Sequence, residues 1–448
     1  MANSYLSSNT GTATNAKKFT LSMWIKRSKL CDSNSQRFYQ GYKDGNDRFY
    51  VMFDNTSGTP DAIWIYAVTG GTVELYWTSS RRFRDTNGWY HFVFSADSTL
   101  STAADRLKVY VNGVLETSFT KTNNPSQNID WGNQLAQTNG DLTISGTESQ
   151  TQLFDGYMSH VAFVDGQALA PTEFGETDST SGIWKFKSPS GITWGNNGYH
   201  LKFENSANMG LDSSGNSNNF TVNGNLKQAL DTPSNVHATF NPLFSKSLPS
   251  TVNMGNTRLD QSSNAWKSSL TTIGASSGKW YAEFKAGTIS GTKYNQFGMV
   301  NEDIVHSGTF AYVGDSTSGW GLNWGGNVNH NNANISGYTS FATGDIISVA
   351  MDLDNHKAYW RKNGAAWMNS GDPTSGSTGT GAQSLDTGKT YFFAASVYGN
   401  ECFANFGDGF FGTTAITSAG SNGNGSLFEY DVPSGYYALN TKNLNTYG

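Results

Sequence analysis

The chain is 448 residues long, 36% apolar and 14% aromatic, with 50 Gly, and only 14% of it is charged. That length exceeds one ordinary domain, and so many aromatics with so little charge exclude a disordered chain. A net charge of −6 excludes the basic footprint that binding to a nucleic-acid duplex needs.

The first elements alternate. In "FTLSMWIKRS", Phe19, Leu21, Met23 and Ile25 share one face, while Thr20, Ser22, Trp24 and Lys26 share the other, which is a strand with one side in a core. "RFYVMF", "AIWIYAV" and "VELYWTS" follow at short spacing. In "WYHFVFSAD" Tyr90, Phe92 and Phe94 face one way, and Trp89, His91 and Val93 the other. "LKVYVNGVLETSF" then runs into Asn112-Gly113, a pair suited to a type I′ hairpin because both central residues need positive φ. "DLTIS" and "GYMSHVAFV" close the series. Many short strands at regular spacing predict a β-sandwich.

From 177 to 250 the pattern loosens into Pro, Gly and Asn with brief apolar islands. Trp184, Phe186, Trp194, Phe203 and Phe220 need burial there, so a structured connector is expected rather than a free linker. Alternation resumes in "KWYAEFKAG", with Trp280, Ala282 and Phe284 on one face. It continues through "QFGMV", "GWGLNW", "DIISVAMDLD", "KAYWRKNGAAW", "TYFFAASVYG" and "CFANFG". Asn363-Gly364 repeats the hairpin signal 251 positions after the first. The tail, "LFEYDVPSGYYALNTKNL", is apolar enough to pack on a sheet.

Catalytic signatures are sparse. Glycoside cleavage needs two carboxyl groups flanking the bond, and no Glu-x-Asp-x-x-Glu strand occurs. Glu302-Asp303 lies alone, and Glu148 has no partner two residues on. The seven histidines are scattered; His91 and His160 fall inside strands and read as hydrogen-bonded sheet residues. No GxSxG elbow or phosphate loop occurs. Cys31 and Cys402 have no metal spacing and read as free, buried thiols. The Arg81, Arg82 and Arg84 cluster reads as solvated surface or an anion contact.

Two oxygen-rich stretches would suit calcium: "YKDGNDRFY" with Asp44, Asn46 and Asp47, and "LDSSGNSNN" with Asp212, Asn216 and Asn218. Both are also ordinary turn vocabulary, and no cofactor is required. A carbohydrate site is the sharper expectation, because sugars pack C–H faces on aromatic rings while amides order their hydroxyls. "SGWGLNWGGNVNHNNANISGYTSF" sets Trp320, Trp324 and Tyr338 among Asn327, Asn331 and glycines in what should be a long loop. For either Trp320 or Trp324 taken singly, core on a strand is the favoured reading.

The run from "KKFTLSMWIKRS" through "RRFRDTNGWYHFVFSADSTLSTAADRLKVYVNGV" to "FDGYMSHVAFVDGQALAPTEFGE" resembles a laminin-G/concanavalin A-like lectin domain, in the version found in tail and virion proteins of environmental bacteriophages. "GKWYAEFK", "GDIISVAMDLDNHKAYWRKNGAAW" and "YFFAASVYGNECFANFG" resemble a SPRY (B30.2-like) domain. "LDSSGNSNNFTVNG", "DTPSNVHATFNPL" and "PSGYYALNTKNL" are similar to the joints of such phage proteins. The resemblance implies an all-β chain of two antiparallel β-sandwiches: 1–176 a concanavalin A-like jelly roll, 177–250 an ordered connector able to lend it a strand, 251–415 SPRY-like, and 416–448 a packed tail. The family has a strand before the "SYL" stretch that is missing here, so the first sheet is expected to borrow an edge, from 198 onward or from a neighbouring subunit.

The resemblance further implies a phage virion structural protein (tail fibre, spike or head fibre) acting as a non-catalytic adhesion module for a host surface glycan or protein. Its expected partners are other virion proteins and copies of itself, with a trimer favoured. Nucleic acid and membrane insertion are not expected, since no apolar run approaches a membrane span and no basic-then-apolar leader opens the chain. The alternatives are a decoration or connector protein touching only virion partners, a glycan depolymerase, and a bacterial surface lectin.

Overall fold

The computed structural model describes residues 4–31, 34–55, 58–131, 135, 140–147, 149–244, 251–306 and 310–448. Glu148 and the stretch 245–250 lie outside the described residues. Two compact units divide the chain, 1–228 and 229–448. Both are antiparallel β-sandwiches, and among the described residues no helix is long and apolar enough to cross a membrane.

In the first unit one sheet runs in the order Phe119–Asn123, Thr72–Arg82, Ala62–Thr69, Asp47–Phe53, Gln36–Asp44, Gly140–Ile144, Tyr5–Thr10 and Thr221–Asn223. The other runs Tyr199–Leu201, Gly156–Asp165, Lys18–Arg27, Tyr90–Asp97, Leu107–Val111 and Val114–Leu115. Phe19, Leu21, Met23 and Ile25 meet Phe49, Val51, Phe53, Ile63 and Ile65 between them, all essentially without exposure. Each such side chain contributes roughly 1.5–3 kcal/mol of burial free energy. The edge beside Tyr5–Thr10 is filled from within the chain: Leu6 pairs with Val222, and on the other sheet Val161 pairs with Leu201. The stretch expected to be a connector is therefore divided: 177–228 belongs to the first unit, and the rest, from 229, to the second. The pairing of both short strands with the first unit's sheets is the physical reason.

The second unit stacks a large sheet on a smaller one. The large sheet runs Thr251–Asn253, Arg258–Asp260, Glu401–Asn405, Lys279–Ala286, Ile346–Asp352, Lys357–Lys362 and Gln383–Ser384, and Tyr437–Ala438 of the tail pairs parallel to Lys279–Ala286. The smaller runs Trp266–Leu270, Tyr391–Tyr398, Tyr294–Asn301, Gly319–Asn323, Val328–His330 and Ala333–Ile335. Trp280, Ala282, Phe284, Phe297, Met299 and Phe393 fill the space between. The tail buries Phe428, Val432 and Tyr436 against Tyr281 and Tyr359 on the far side of the large sheet, then ends in the helix Thr441–Tyr447, whose Asn440 cap accepts from the Asn443 N–H.

The two Asn-Gly turns have matching geometry, with φ of 50° and 78° at Asn112-Gly113 and 50° and 68° at Asn363-Gly364. Each glycine also carries a ring where a Cβ would stand: 2.5 Å from Trp184 at Gly113 and 2.5 Å from Tyr430 at Gly364. The positive φ and the close approach both require glycine.

Candidate ligand-binding cleft

The outer face of the second unit's smaller sheet is covered at one end only. There Ile304, Phe310 and Val313 pack on Leu270, Val300 and Ala394. The cover is pinned by Ser396, whose Oγ accepts from the Val313 N–H at 2.9 Å, and by Ser268, whose Oγ donates to the Ala311 carbonyl at 2.7 Å. Gly321 permits the approach, since a Cβ there would lie 2.6 Å from the Val313 carbonyl oxygen. At the other end the face stays open and forms a cleft of about 600 Å³ lined by aromatic and amide side chains.

Strand register assembles the aromatic wall. Trp266 pairs with Tyr398, which pairs with Tyr294, so three rings stand in one row across neighbouring strands. Trp324 stacks on Tyr294 at 3.9 Å between centroids, and Tyr312 reaches Trp266 at 5.2 Å from the covering segment. All five rings are half-buried. The Tyr312 hydroxyl, raised in pKa by burial, donates to Asn332 and closes one side.

The floor is made of carboxamides. Asn323 Oδ1 accepts from the backbone N–H of Gly325 at 2.9 Å and of Asn327 at 3.2 Å, and its Nδ2 donates to Asn329 Oδ1 at 2.8 Å. Gln296 Nε2 donates to the same Asn329 oxygen at 3.2 Å, and Asn329 in turn donates to Asn334. Among the described residues the lining contains no carboxylate and no cation. Rings with fixed amide donors and acceptors can hold a neutral, hydroxyl-bearing ligand by stacking and hydrogen bonding.

Of the residues singled out in the sequence, Trp324 and Asn327 line this cleft. Trp320 is 3% exposed, packed in the core and stacked on His330 at 4.3 Å. Asn331 sits exposed at φ 51° in the turn between Val328–His330 and Ala333–Ile335. Tyr338 packs on the core, edge-on to Trp360, and its hydroxyl accepts from Gln383 Nε2 at 2.8 Å. The expected long loop is corrected: 319–335 forms three short strands, because the alternation of Trp320, Leu322 and Val328 feeds the core. Trp266, Tyr294, Tyr312 and Tyr398 were missed. One signal was available: in "YNQFGMVN" Phe297 and Met299 define the core face, which leaves Tyr294 and Gln296 on the other.

The oxygen-rich stretches are organised turns. Asp44 Oδ1 accepts from the Asn46 and Asp47 N–H groups at 2.7 and 3.1 Å, and Asp47 Oδ1 accepts from the Gly70 N–H at 3.0 Å. Asp212 accepts four hydrogen bonds, from the N–H groups of His200, Ser214 and Asn218 and from the Ser214 hydroxyl. Asn216 and Asn218 donate to the carbonyls of Gly195, Gly198 and Asn196. The arginine cluster is likewise structural. Arg84 pairs with Asp61 at 3.0 Å beside the fully buried Arg27, at 2.9 Å, and Arg82 donates to the carbonyls of Pro60 and Gly58. Burial alone would raise Asp61, but the Cys31 N–H and both guanidinia hold it below the usual carboxylate range.

His91 and His160 are enclosed on the outer face of the first unit's six-stranded sheet. The His91 ring stacks on Trp24 at 4.5 Å, and its Nδ1 accepts from Trp184 Nε1 at 2.9 Å. Trp184 can only donate, so the other ring nitrogen carries the proton and donates to Ser22 Oγ at 2.8 Å. His160 stacks on Phe186 at 3.5 Å and meets His200 at 3.3 Å between ring nitrogens. Elsewhere on this unit Tyr50, Trp64, Tyr66 and Tyr76 form a second aromatic surface, but the Arg37 guanidinium already lies 3.9 Å over the Tyr50 ring.

Residues 1–174 match the family model described as the concanavalin A-like lectin/glucanases superfamily. No curated protein matches the chain. Among solved structures, the SPRY domain of human HERC1 is similar at 18% identity, covering 37% of this chain and 96% of that one, with a TM-score of 0.29. Domain 4 of AbnA, a GH43 extracellular arabinanase from Geobacillus stearothermophilus in complex with arabinotriose, is 18% identical over 36% of this chain and 65% of that one, with a TM-score of 0.25. The heptameric SAP-like pentraxin of Limulus polyphemus is 12% identical over 50% of this chain and 95% of that one, with a TM-score of 0.28.

Proposed function

We propose that the protein is a non-catalytic adhesion module of a bacteriophage particle (tail fibre, spike or head fibre) that holds a host surface glycan in the cleft of its second unit. The cleft carries the binding part of this reading: five half-buried rings beside ordered carboxamides, with no carboxylate among the described residues of the lining to act as acid or base. The concanavalin A-like match of the first unit supports a binding module, and the resemblance of the sequence's joints to those of phage proteins supports the particle part. Several copies, a trimer in a fibre, would multiply weak single contacts into firm attachment.

The test is adsorption of the purified chain to host cell envelopes. A chain carrying Tyr294→Ala and Trp324→Ala should lose adsorption while keeping its fold. Sugar released from the envelope would establish a depolymerase instead. A double variant that adsorbs like the parent, on particles that fail to assemble without the protein, would favour a decoration or connector role.

A further inference from the structure

Resting on the glycan-binding reading of the cleft, we infer that the cleft selects uncharged sugars by donating hydrogen bonds from the Asn334 carboxamide to an acceptor oxygen of the ligand. The two ends of a carboxamide are alike in shape, so orientation must come from partners. Here it begins at groups that leave no choice. The backbone N–H groups of Gly325 and Asn327 can only donate, and both point at one atom of Asn323, which is therefore its oxygen. The other end of Asn323 is then an NH₂ group, and the Asn329 atom facing it at 2.8 Å must accept. Gln296 donates to that same atom at 3.2 Å. Asn329 is left with its NH₂ group toward Asn334, whose nearer atom must be oxygen.

Asn323, Asn329 and Gln296 are 8%, 6% and 3% exposed, so this chain of amides is shielded from water that could reverse it. It ends at Asn334, an exposed residue of the cleft lining, whose oxygen is held inward and whose NH₂ group is turned outward. The rim thus offers donors. Among the described residues no cation stands in the lining, so a carboxylate-bearing sugar would lose hydration with no counter-charge to replace it. A hydroxyl, ring or acetamido oxygen of a neutral sugar meets the donors at no such cost.

The experiment screens the full chain on an array of neutral and acidic glycans, then measures the strongest neutral one by calorimetry against two variants. Asn334→Asp keeps the oxygen that accepts from Asn329 but replaces the outward donor with an oxygen. We expect it to weaken binding about tenfold or more with an unchanged unfolding temperature. Trp324→Ala should abolish binding. Unchanged affinity in Asn334→Asp, with binding lost in Trp324→Ala, overturns the amide reading and leaves the cleft standing. Preference for acidic glycans overturns it too. Neutral-glycan binding that survives Trp324→Ala, or the absence of any bound glycan, overturns the cleft and this inference together.

Discussion

The outer faces of the two six-stranded sheets make an instructive pair. In the first unit that face carries Ser22, Trp24, His91 and Val93, and residues 175–194 cover it, with Trp184 on His91, Phe186 on His160 and Trp194 on His200. In the second unit a shorter cover stops part-way, leaving the rings of Trp266, Tyr294, Trp324 and Tyr398 half-buried around a cleft. Both faces are rich in aromatics and polar side chains. Where chain covers them, rings of the cover stack on the face and its polar atoms become internal. Where it does not, the same chemistry is left available to a ligand. Coverage, rather than composition, separates the enclosed face from the one left open to a ligand.

The largest effect should come from uncovering the first face. Trp184→Ala removes a ring wedged against Gly113 and Gly175 and leaves the buried His91 Nδ1 without its donor. The expected loss is about 3 kcal/mol of stability, with hydrogen exchange rising first in residues 175–194.

Acid should separate the units next. Burial holds His91 and His160 at about 3 and His200 at about 4, against about 6.5 in an unfolded chain. The unfolded state therefore binds more protons below that value. The first unit's stability is complete above about pH 6.5 and falls by up to about 1.4 kcal/mol per pH unit for each histidine as acid is added. The second unit holds Glu283, which burial pushes up to about 7 although the N–H groups of Glu429 and Tyr430 and the Tyr281 hydroxyl favour its charged form. Its contribution is complete below about pH 4.5 and is lost as pH rises through 7. Hydrogen exchange followed between pH 5 and 8 should give slopes of opposite sign in the two units; parallel slopes would break the comparison.

A smaller effect is expected at the turns. Gly113→Ala and Gly364→Ala each place a Cβ against a ring at a left-handed φ and should cost about 1–3 kcal/mol by denaturant unfolding. Smallest of all for stability should be Trp324→Ala. Its half-buried ring stacks on Tyr294 at the cleft wall, so a change under about 2 kcal/mol is expected while ligand binding is lost.

Local patterns made much of the fold legible. Phe19, Leu21, Met23 and Ile25 declared their core face by alternation, and both Asn-Gly pairs declared their hairpins. Alternation also placed Trp24, His91 and Val93 on the face opposite the core residues, and they too are enclosed, at 2%, 0% and 0% exposed. Period-2 patterning describes one strand and carries no information about a cover whose Trp184 arrives 93 residues after His91. The cleft was legible only through Trp324 and Asn327, since Trp266, Tyr294 and Tyr398 are joined by register between strands distant in sequence. Counting aromatics in one glycine-rich stretch instead picked out Trp320, whose place on Gly319–Asn323 sends it into the core.

The uncovered face of the second unit is the proposed seat of a sugar. A crystal of the full chain soaked with its strongest neutral oligosaccharide tests this most directly. The sugar should pack on the Trp266–Tyr294–Trp324–Tyr398 rings with an oxygen in hydrogen-bond reach of Asn334 Nδ2. A sugar seated on Trp64 and Tyr66 of the first unit, with the cleft empty, would contradict it.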